Sequence, residues 1–375
     1  DAARRDAPLA ALEDLLGRAL RERSPGDPQV PIDRARAALS AALRSRAAGG
    51  VATLVLDDAQ WLDAASREVL RQVIDDVDHP VALWLFATPD ARGAVEGLCA
   101  GATVRELGPL AAGESLRVVR AVAPSLPDDD ARAVCERAEG HPLFLEELAR
   151  LRAEGAADDE VPATIEAAYQ ALLHRLDPEA REFVRCAAVY GRRAWVEAAA
   201  ALGADADRYA GLRRAGHLVA RATRLAGATE FAFRSALMQE VALGLWPDDA
   251  RAGLHAGAAR WLAERPDVGP EEVARQWDLA LDPERAAGWY ARAAESSARV
   301  AGPIAFEHAE RALARSRDPR VRWRALLAQD TATQIDGDRA RHAACVAALE
   351  ALAPDLGVEE MAEAAWRRCY LARVT

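Results

Sequence analysis

Two adjacent carboxylates close an apolar run: Leu54-Val55-Leu56-Asp57-Asp58, continuing as Ala59-Gln60-Trp61-Leu62-Asp63. Carboxylates at the C-terminal edge of a strand sit where open α/β sheets bind their ligands. There Asp57 can hold a Mg²⁺ through its water shell, because hard oxygen donors suit that ion and nucleotide phosphates share it. Asp58 can orient or deprotonate an attacking water. That is the logic of a Walker B element. A strand ending in two aspartates equally well caps a turn, and the pair alone does not choose between the two.

The elements that must position this pair read as a βαβ unit. Val51 to Leu56 and Val81 to Ala87 are apolar runs suited to buried strands of a parallel sheet. Asp63 to Asp76 between them reads as a helix with Asp63 as its N-cap. Thr103 to Leu107 offers a third strand, and Ala111 to Glu154 is helical in pattern. The first 50 residues are also helical, with a break around Ser24 to Pro31 and a helix from Ile32 to Ala47 stopped at Gly49-Gly50. Asp158 to Pro162 is a polar, acidic break. Helices follow at Thr164 to Leu176, Pro178 to Val189, Trp195 to Leu202 and Asp205 to Ala215. Strand candidates Leu218 to Ala222 and Glu230 to Phe233, joined through Gly227, close the outline of a winged helix-turn-helix. From Ser235 onward only helices are expected. Trp289, Ala293, Ala305, Ala309 and Ala312, with Pro319 shortly after, fall at spacings resembling a tetratricopeptide helix pair; an ordinary alanine-rich bundle is the alternative. The expected fold is α/β followed by all-α, in domains 1–157, 158–246 and 247–375.

Composition narrows the classes. The 375 residues carry a net charge of −11, with 51% hydrophobic and 29% charged residues, which excludes a disordered chain. No apolar run approaches the ~18 residues of a membrane-crossing helix. The acidic balance argues against a chain that coats nucleic acid non-specifically. There is no lysine and no asparagine, so all 48 basic residues are arginine and chemistry that needs a lysine is excluded from these residues. The 5 cysteines (99, 135, 186, 345 and 369) form no C-x-x-C pair and read as reduced, mostly core thiols. The 7 histidines do not cluster, no Gly-x-Ser-x-Gly appears, and the 9 tryptophans are expected to fill cores. With no secretory signal pattern, a cytoplasmic location is expected. The chain begins at Asp1 rather than Met and is read as a fragment.

Asp-Asp-x-Gln-Trp-x-Asp-x-x-Ser, Asp57 to Ser66 here, resembles the Walker B signature of the signal-transducing AAA-type NTPases called STAND ATPases. These include large LuxR-type transcription activators and ATPase modules joined to protein kinases or adenylate cyclases. Further motifs follow in the family's order. Leu83 to Thr88 looks like the strand whose last polar residue, Thr88, serves as sensor 1 beside the γ-phosphate. Glu106 to Leu110 resembles the entry to the helical lid, and Glu139 to Leu148 its Gly-x-Pro-hydrophobic motif. The resemblance places Gly140, His141 and Pro142 near the adenine. Val161-Pro162 to Ala188 resembles the start of the winged helix, and Phe231 to Arg234 leads into a helix similar to the family's Phe-x-His segment. The implied fold is a partial P-loop NTPase sheet with helical lid, a winged helix and tetratricopeptide-like repeats.

Several positions depart from the family. There is no G-x-x-x-x-G-K-[ST], whose lysine would reach the β/γ-phosphates. Pro89 and Asp90 precede Arg92 where an Arg usually follows the sensor strand; Ser235 stands where relatives often carry a His; His141 takes a position often held by Asn. The candidate recognition helix carries Arg208, Arg213 and Arg214 but also Asp205 and Asp207, which favours regulatory packing over DNA reading. The resemblance implies a nucleotide-controlled switch binding ATP/ADP and Mg²⁺: Asp57 on the metal, Asp58 as catalytic base, Thr88, Gly140, His141 and Pro142 on the nucleotide. An ATP hydrolase is implied in the intact protein, not in these residues without the P-loop. It also implies a signal protein or small-molecule inducer at the repeats, a nucleotide-dependent homo-oligomer, DNA contact only through an output domain elsewhere, and no membrane. The alternative is a degenerate pseudo-ATPase serving as an interaction scaffold.

Overall fold

The computed structural model describes residues 29–47, 50–62, 64–76, 80–88, 98, 102–153, 164–223, 225–299, 302–336 and 338–374. Asp63, the break at 158–162, Pro89, Asp90 and Arg92 lie outside them. The protein is mostly helical, and its contacts divide it into two compact units, 104–258 and 1–103 together with 259–375. Among the described residues no helix is long and apolar enough to cross a membrane.

The discontinuous unit contains the βαβ segment: α1 (Gln29–Ala47), β1 (Ala52–Leu56), a single 3-10 turn (Ala59–Trp61), α2 (Ala64–Asp76) and β2 (Val81–Leu85). α1 starts three residues ahead of the predicted Ile32, taking in Pro31. A proline in the first turn costs nothing there, because its missing N–H has no partner within the helix anyway. β1 and β2 are parallel and in register from Ala52↔Val81 to Leu56↔Leu85. Ala35, Leu39 and Leu43 of α1 and Val69, Leu70 and Val73 of α2 pack with Ala52 and Leu54 of β1 into one core. The strands are not buried on both faces as their composition suggests. Val55 and Trp84, opposite one another in register, are 55% and 59% exposed, since the described helices pack against the alternate residues.

The same unit holds a run of antiparallel helices: the end of α11 (Asp248–Ala263), α12 (Pro270–Leu279), α13 (Pro283–Ser297), α14 (Gly302–Arg315), α15 (Pro319–Asp336), α16 (Arg339–Leu352) and α17 (Val358–Val374). From α12 onward each packs on the next, and α13 also touches α15. Close approach is possible because the facing residues are small: Ala293, Ala305, Ala309 and Ala312 are fully buried, while Trp289 of the predicted pattern is half-buried. Helical hairpins stacked in sequence order are the architecture expected of helical repeats. Trp261, Trp277 and Trp323 are buried as expected, but Trp366 on α17 is 60% exposed and stacks on Tyr370.

In the continuous unit, α3 (Ala112–Val122), α4 (Asp128–Ala138) and α5 (Pro142–Ala153) share a core built on Val119, Val134, Leu145 and Leu148. Residues 103–107 form no strand. α6 (Ile165–Arg175) and α7 (Pro178–Ala188) are capped by the side chains of Thr164 and Asp177, which accept the N–H of Ala167 and Ala180. Next come β3 (Arg193–Trp195), α8 (Val196–Ala201), α9 (Arg208–Arg214), β4 (Leu218–Ala220), β5 (Glu230–Phe233) and α10 (Ala236–Gly244). The three strands are antiparallel in the order β3-β5-β4. Trp195 thus ends a strand instead of opening a helix. Phe183, Tyr209, Phe231 and Phe233 form the aromatic centre of this half, with Phe231 and Phe233 fully buried on the central strand.

Candidate functional site

The chain turns sharply at the end of β1. Asp58 has left-handed backbone angles (φ 55°, ψ 42°), a region that Asp and Asn tolerate better than other side chains. Phe86 donates its N–H to Leu56 O at 2.9 Å, and Ala59 donates to Phe86 O at 2.8 Å, so the residues leaving β1 are fastened to those leaving β2. Asp57 Oδ1 accepts the N–H of Asp58 at 3.1 Å. Gln60 then bridges the two chain segments: its Nε2 donates to Asp58 Oδ1 at 3.1 Å, and its Oε1 accepts the N–H of Thr88 at 3.4 Å.

Asp57, Asp58 and Thr88 are therefore gathered at the C-terminal edge of the parallel pair, with Gln60 as the tie between them. Asp57 and Thr88 are exposed and Asp58 is half-buried. Gln60 lies within the Asp57–Ser66 motif, which by itself gives it no role. Its signal was a long amide two residues after a carboxylate in a turn, and the second half of the link lies 28 residues away. The donor chemistry fits a Mg²⁺: two adjacent carboxylates with hard oxygens, that of Asp57 exposed. Among the described residues no group of three or more His, Cys, Asp or Glu side chains gathers as a metal cage, so the remaining coordination would come from water and phosphate oxygens.

Gly140, His141 and Pro142 belong to the continuous unit, where they join α4 to α5. Glu139 and Gly140 are successive left-handed residues (φ 48° and 77°). Leu110 donates its N–H to Gly140 O at 2.9 Å, and a Cβ on Gly140 would lie 2.5 Å from Leu110 O. Two effects therefore act together in Gly140→Ala: a left-handed alanine, costing about 1–2 kcal/mol, and a clash with backbone that cannot swing aside. We expect a loss of at least ~2 kcal/mol in urea unfolding. Gly211→Ala in the middle of α9, with nothing within 4 Å, should instead gain up to ~1 kcal/mol. A neutral Gly140→Ala would show that the close approach to Leu110 does not exist.

His141 caps α5. Its Nδ1 accepts the N–H of Phe144 at 3.3 Å, and its carbonyl accepts that of Leu145. Pro142 follows at the first helical position, where its fixed φ suits the helix. Both side chains are exposed. His141→Ala should cost about 0.5–1 kcal/mol in thermal unfolding, and His141→Asn should restore it, since Asn is among the best caps. If Asn is no better than Ala, the ring does not act as a cap.

Ser235 is also a cap: its Oγ accepts the N–H of Met238 at the start of α10. Beside it, Arg234 reaches the carboxylates of Glu146 and Glu147 on α5, the latter at 2.9 Å and almost wholly buried, and Arg150 also meets Glu147 at 3.5 Å. Burial pushes the phenol of nearby Tyr169 up to about 12, so it stays neutral beside this cluster. The helix that follows the Gly140-Pro142 turn is thus joined to the β5–α10 corner by charge. Arg234 ends the Phe231–Arg234 motif, and its role is invisible in the sequence because its partner Glu146 lies 88 residues away.

No family model matches this chain. An uncharacterized protein of Rhizobium meliloti (strain 1021) is 29% identical over 246 residues, 60% of this chain and 24% of that protein. The chain accordingly spans about a quarter of the length of that relative. Among solved structures, a signal transduction ATPase with numerous domains and a tetratricopeptide repeat sensor, from Pyrococcus horikoshii, aligns with 96% of this chain and 57% of its own, at 12% identity and a TM-score of 0.45.

Proposed function

We propose that this chain is part of a STAND-type signalling ATPase, a switch set by ATP or ADP and acting in the cytoplasm. The observation that carries the reading is the Gln60 bridge, which holds the Asp57-Asp58 turn and Thr88 together at the C-terminal edge of a parallel β pair. When bound, ATP–Mg²⁺ supplies a phosphoanhydride bond and the cation that offsets its charge. Asp57, exposed at the strand end, would hold the hydrated metal through its carboxylate. The Asp58 carboxylate, held by Gln60, accepts a proton from the attacking water. Thr88 would report the state of the γ-phosphate. The lysine of a phosphate-cradling loop must come from residues other than these, which contain none.

The order helix, strand, helix, helix, strand, strand over 178–233 supports reading the second half of the continuous unit as a winged helix. Arg208 on its candidate recognition helix is occupied by Asp205 at 2.8 Å and Glu179 at 3.2 Å, which supports packing over DNA contact. The Arg234 cluster is suited to relaying the lid state to this element. The helical array would receive a protein or small-molecule signal and favour an oligomerising form, which requires different affinities for the two states. The test is calorimetric titration of the intact protein with ATP and Mg²⁺, followed by a turnover assay. Binding with turnover supports the switch; no ATP binding refutes it and leaves the interaction scaffold.

A further inference from the structure

α17 carries apolar residues on two opposite sides. On its inner side Ala364 joins a core with Trp323 and Leu349, and Arg367 reaches Asp330. On its outer side Val358, Ala362, Ala365, Cys369 and Ala372 are all exposed, and they recur at alternating steps of four and three residues. Those steps average about 3.5 residues, the spacing of a seam between two helices. Met361 and Trp366 border the stripe and are 51% and 60% exposed. A helix packed on one side only normally turns a polar face to water, and an apolar face of this extent marks a contact surface.

The charges beside the stripe indicate what covers it. Glu359 and Arg373 lie on one flank, the flank that bears Trp366, at opposite ends of the helix. Among the described residues neither takes part in an ion pair, whereas Arg368 is held by Glu350 at 3.1 Å and Glu363 by Arg367 at 3.0 Å. When two copies of α17 pair antiparallel, like flanks adjoin, and Glu359 meets Arg373 of the partner subunit. A parallel pair would set like charges side by side. The patch is thus self-complementary, which a two-fold interface requires. Centred on Ala365, the pairing sets Val358 against Ala372 of the partner subunit and Ala362 against Cys369 of the partner subunit. Small residues along the seam let the helices approach closely.

We propose that two copies of this chain associate through the outer face of α17, packed antiparallel about a two-fold axis at Ala365. The proposal goes beyond the nucleotide reading and holds with or without ATP, so either can fail alone.

Sedimentation equilibrium of the intact protein without nucleotide should show a reversible monomer–dimer equilibrium, weak because one helix face is small beside a standard interface. Trp366→Glu should leave only monomer, with the circular dichroism spectrum unchanged. Glu359→Arg should weaken association about fivefold, and Arg373→Glu added to it should restore the affinity. Oxidation in a Cys369→Ser background reads the register. Ala365→Cys should give an intermolecular disulfide, because its two thiols meet at the axis. Val358→Cys should not, because its two copies lie about 21 Å apart along the paired helices at ~1.5 Å per residue. A protein that stays monomeric at every concentration, or whose association survives Trp366→Glu, overturns the proposal. So does a thiol at Ala365→Cys that neither oxidises nor reacts with a maleimide, the result of a helix from the same polypeptide lying on this face. Equal disulfide yields from the two variants overturn the antiparallel register.

Discussion

Asp58→Asn in the intact protein is expected to lower ATP turnover by about 10²–10⁴-fold while leaving ATP affinity nearly unchanged, the signature of a lost general base. Asn is the informative replacement because Asp58 has a left-handed backbone. Asn tolerates that conformation and keeps an oxygen for the Gln60 Nε2, so the tie to Thr88 survives and only the proton acceptor is removed. Asp58→Ala adds backbone strain of about 1 kcal/mol and releases Gln60, mixing two effects. Single-turnover rates beside equilibrium ATP titrations separate chemistry from binding. Turnover within a factor of about three of the parent would remove Asp58 from the role of base.

Arg367→Met should be the most destabilising of the stability changes considered, by about 3–5 kcal/mol. Asp330 on α15 has no exposed surface, yet it carries a carboxylate. Its oxygens meet Arg367 from α17, His342 Nε2 from α16 at 3.1 Å and Gln334 Nε2 at 2.8 Å. One buried charge therefore joins α15 to α17, with the His342 ring of α16 lying against it. Without the guanidinium, a desolvated carboxylate is left with partners that carry no permanent charge. Asp330→Leu combined with Arg367→Met should recover much of the loss, because two apolar side chains need no pairing. A double-mutant cycle on urea unfolding reads the coupling directly; additive losses would mean that the two groups do not interact.

The sequence displays those features whose causes are local. β1 and β2 could be read because apolar runs of strand length flank a helical stretch, and the position of Asp57-Asp58 at a strand end follows from that. The caps at Thr164 and Asp177 could be read because the residue before a helix serves it directly. β3 could not: three residues have no visible period, and Trp195 is extended because Glu230, far along the chain, pairs with it. The same holds for Gln60 with Thr88 and for Arg234 with Glu147, contacts made only after folding. The exposure of Val55 and Trp84 was hidden for a different reason. Apolar composition states what a strand is able to bury, and not whether both of its faces are covered. His141 and Gly140 illustrate a third limit: their motif does not announce that one caps α5 and the other admits the backbone of Leu110.

Helices α12 to α17 are supported mainly by their neighbours in sequence, with little that joins distant parts of the run. Melting of such an array is not one event. Amide protons should exchange at graded rates, slowest in α13 and α14, which are enclosed on both sides, and fastest in α17, whose described contacts lie on one side. The van't Hoff enthalpy of this segment should then fall below its calorimetric enthalpy. A disturbance at one helix would fade over the next two instead of unfolding the whole.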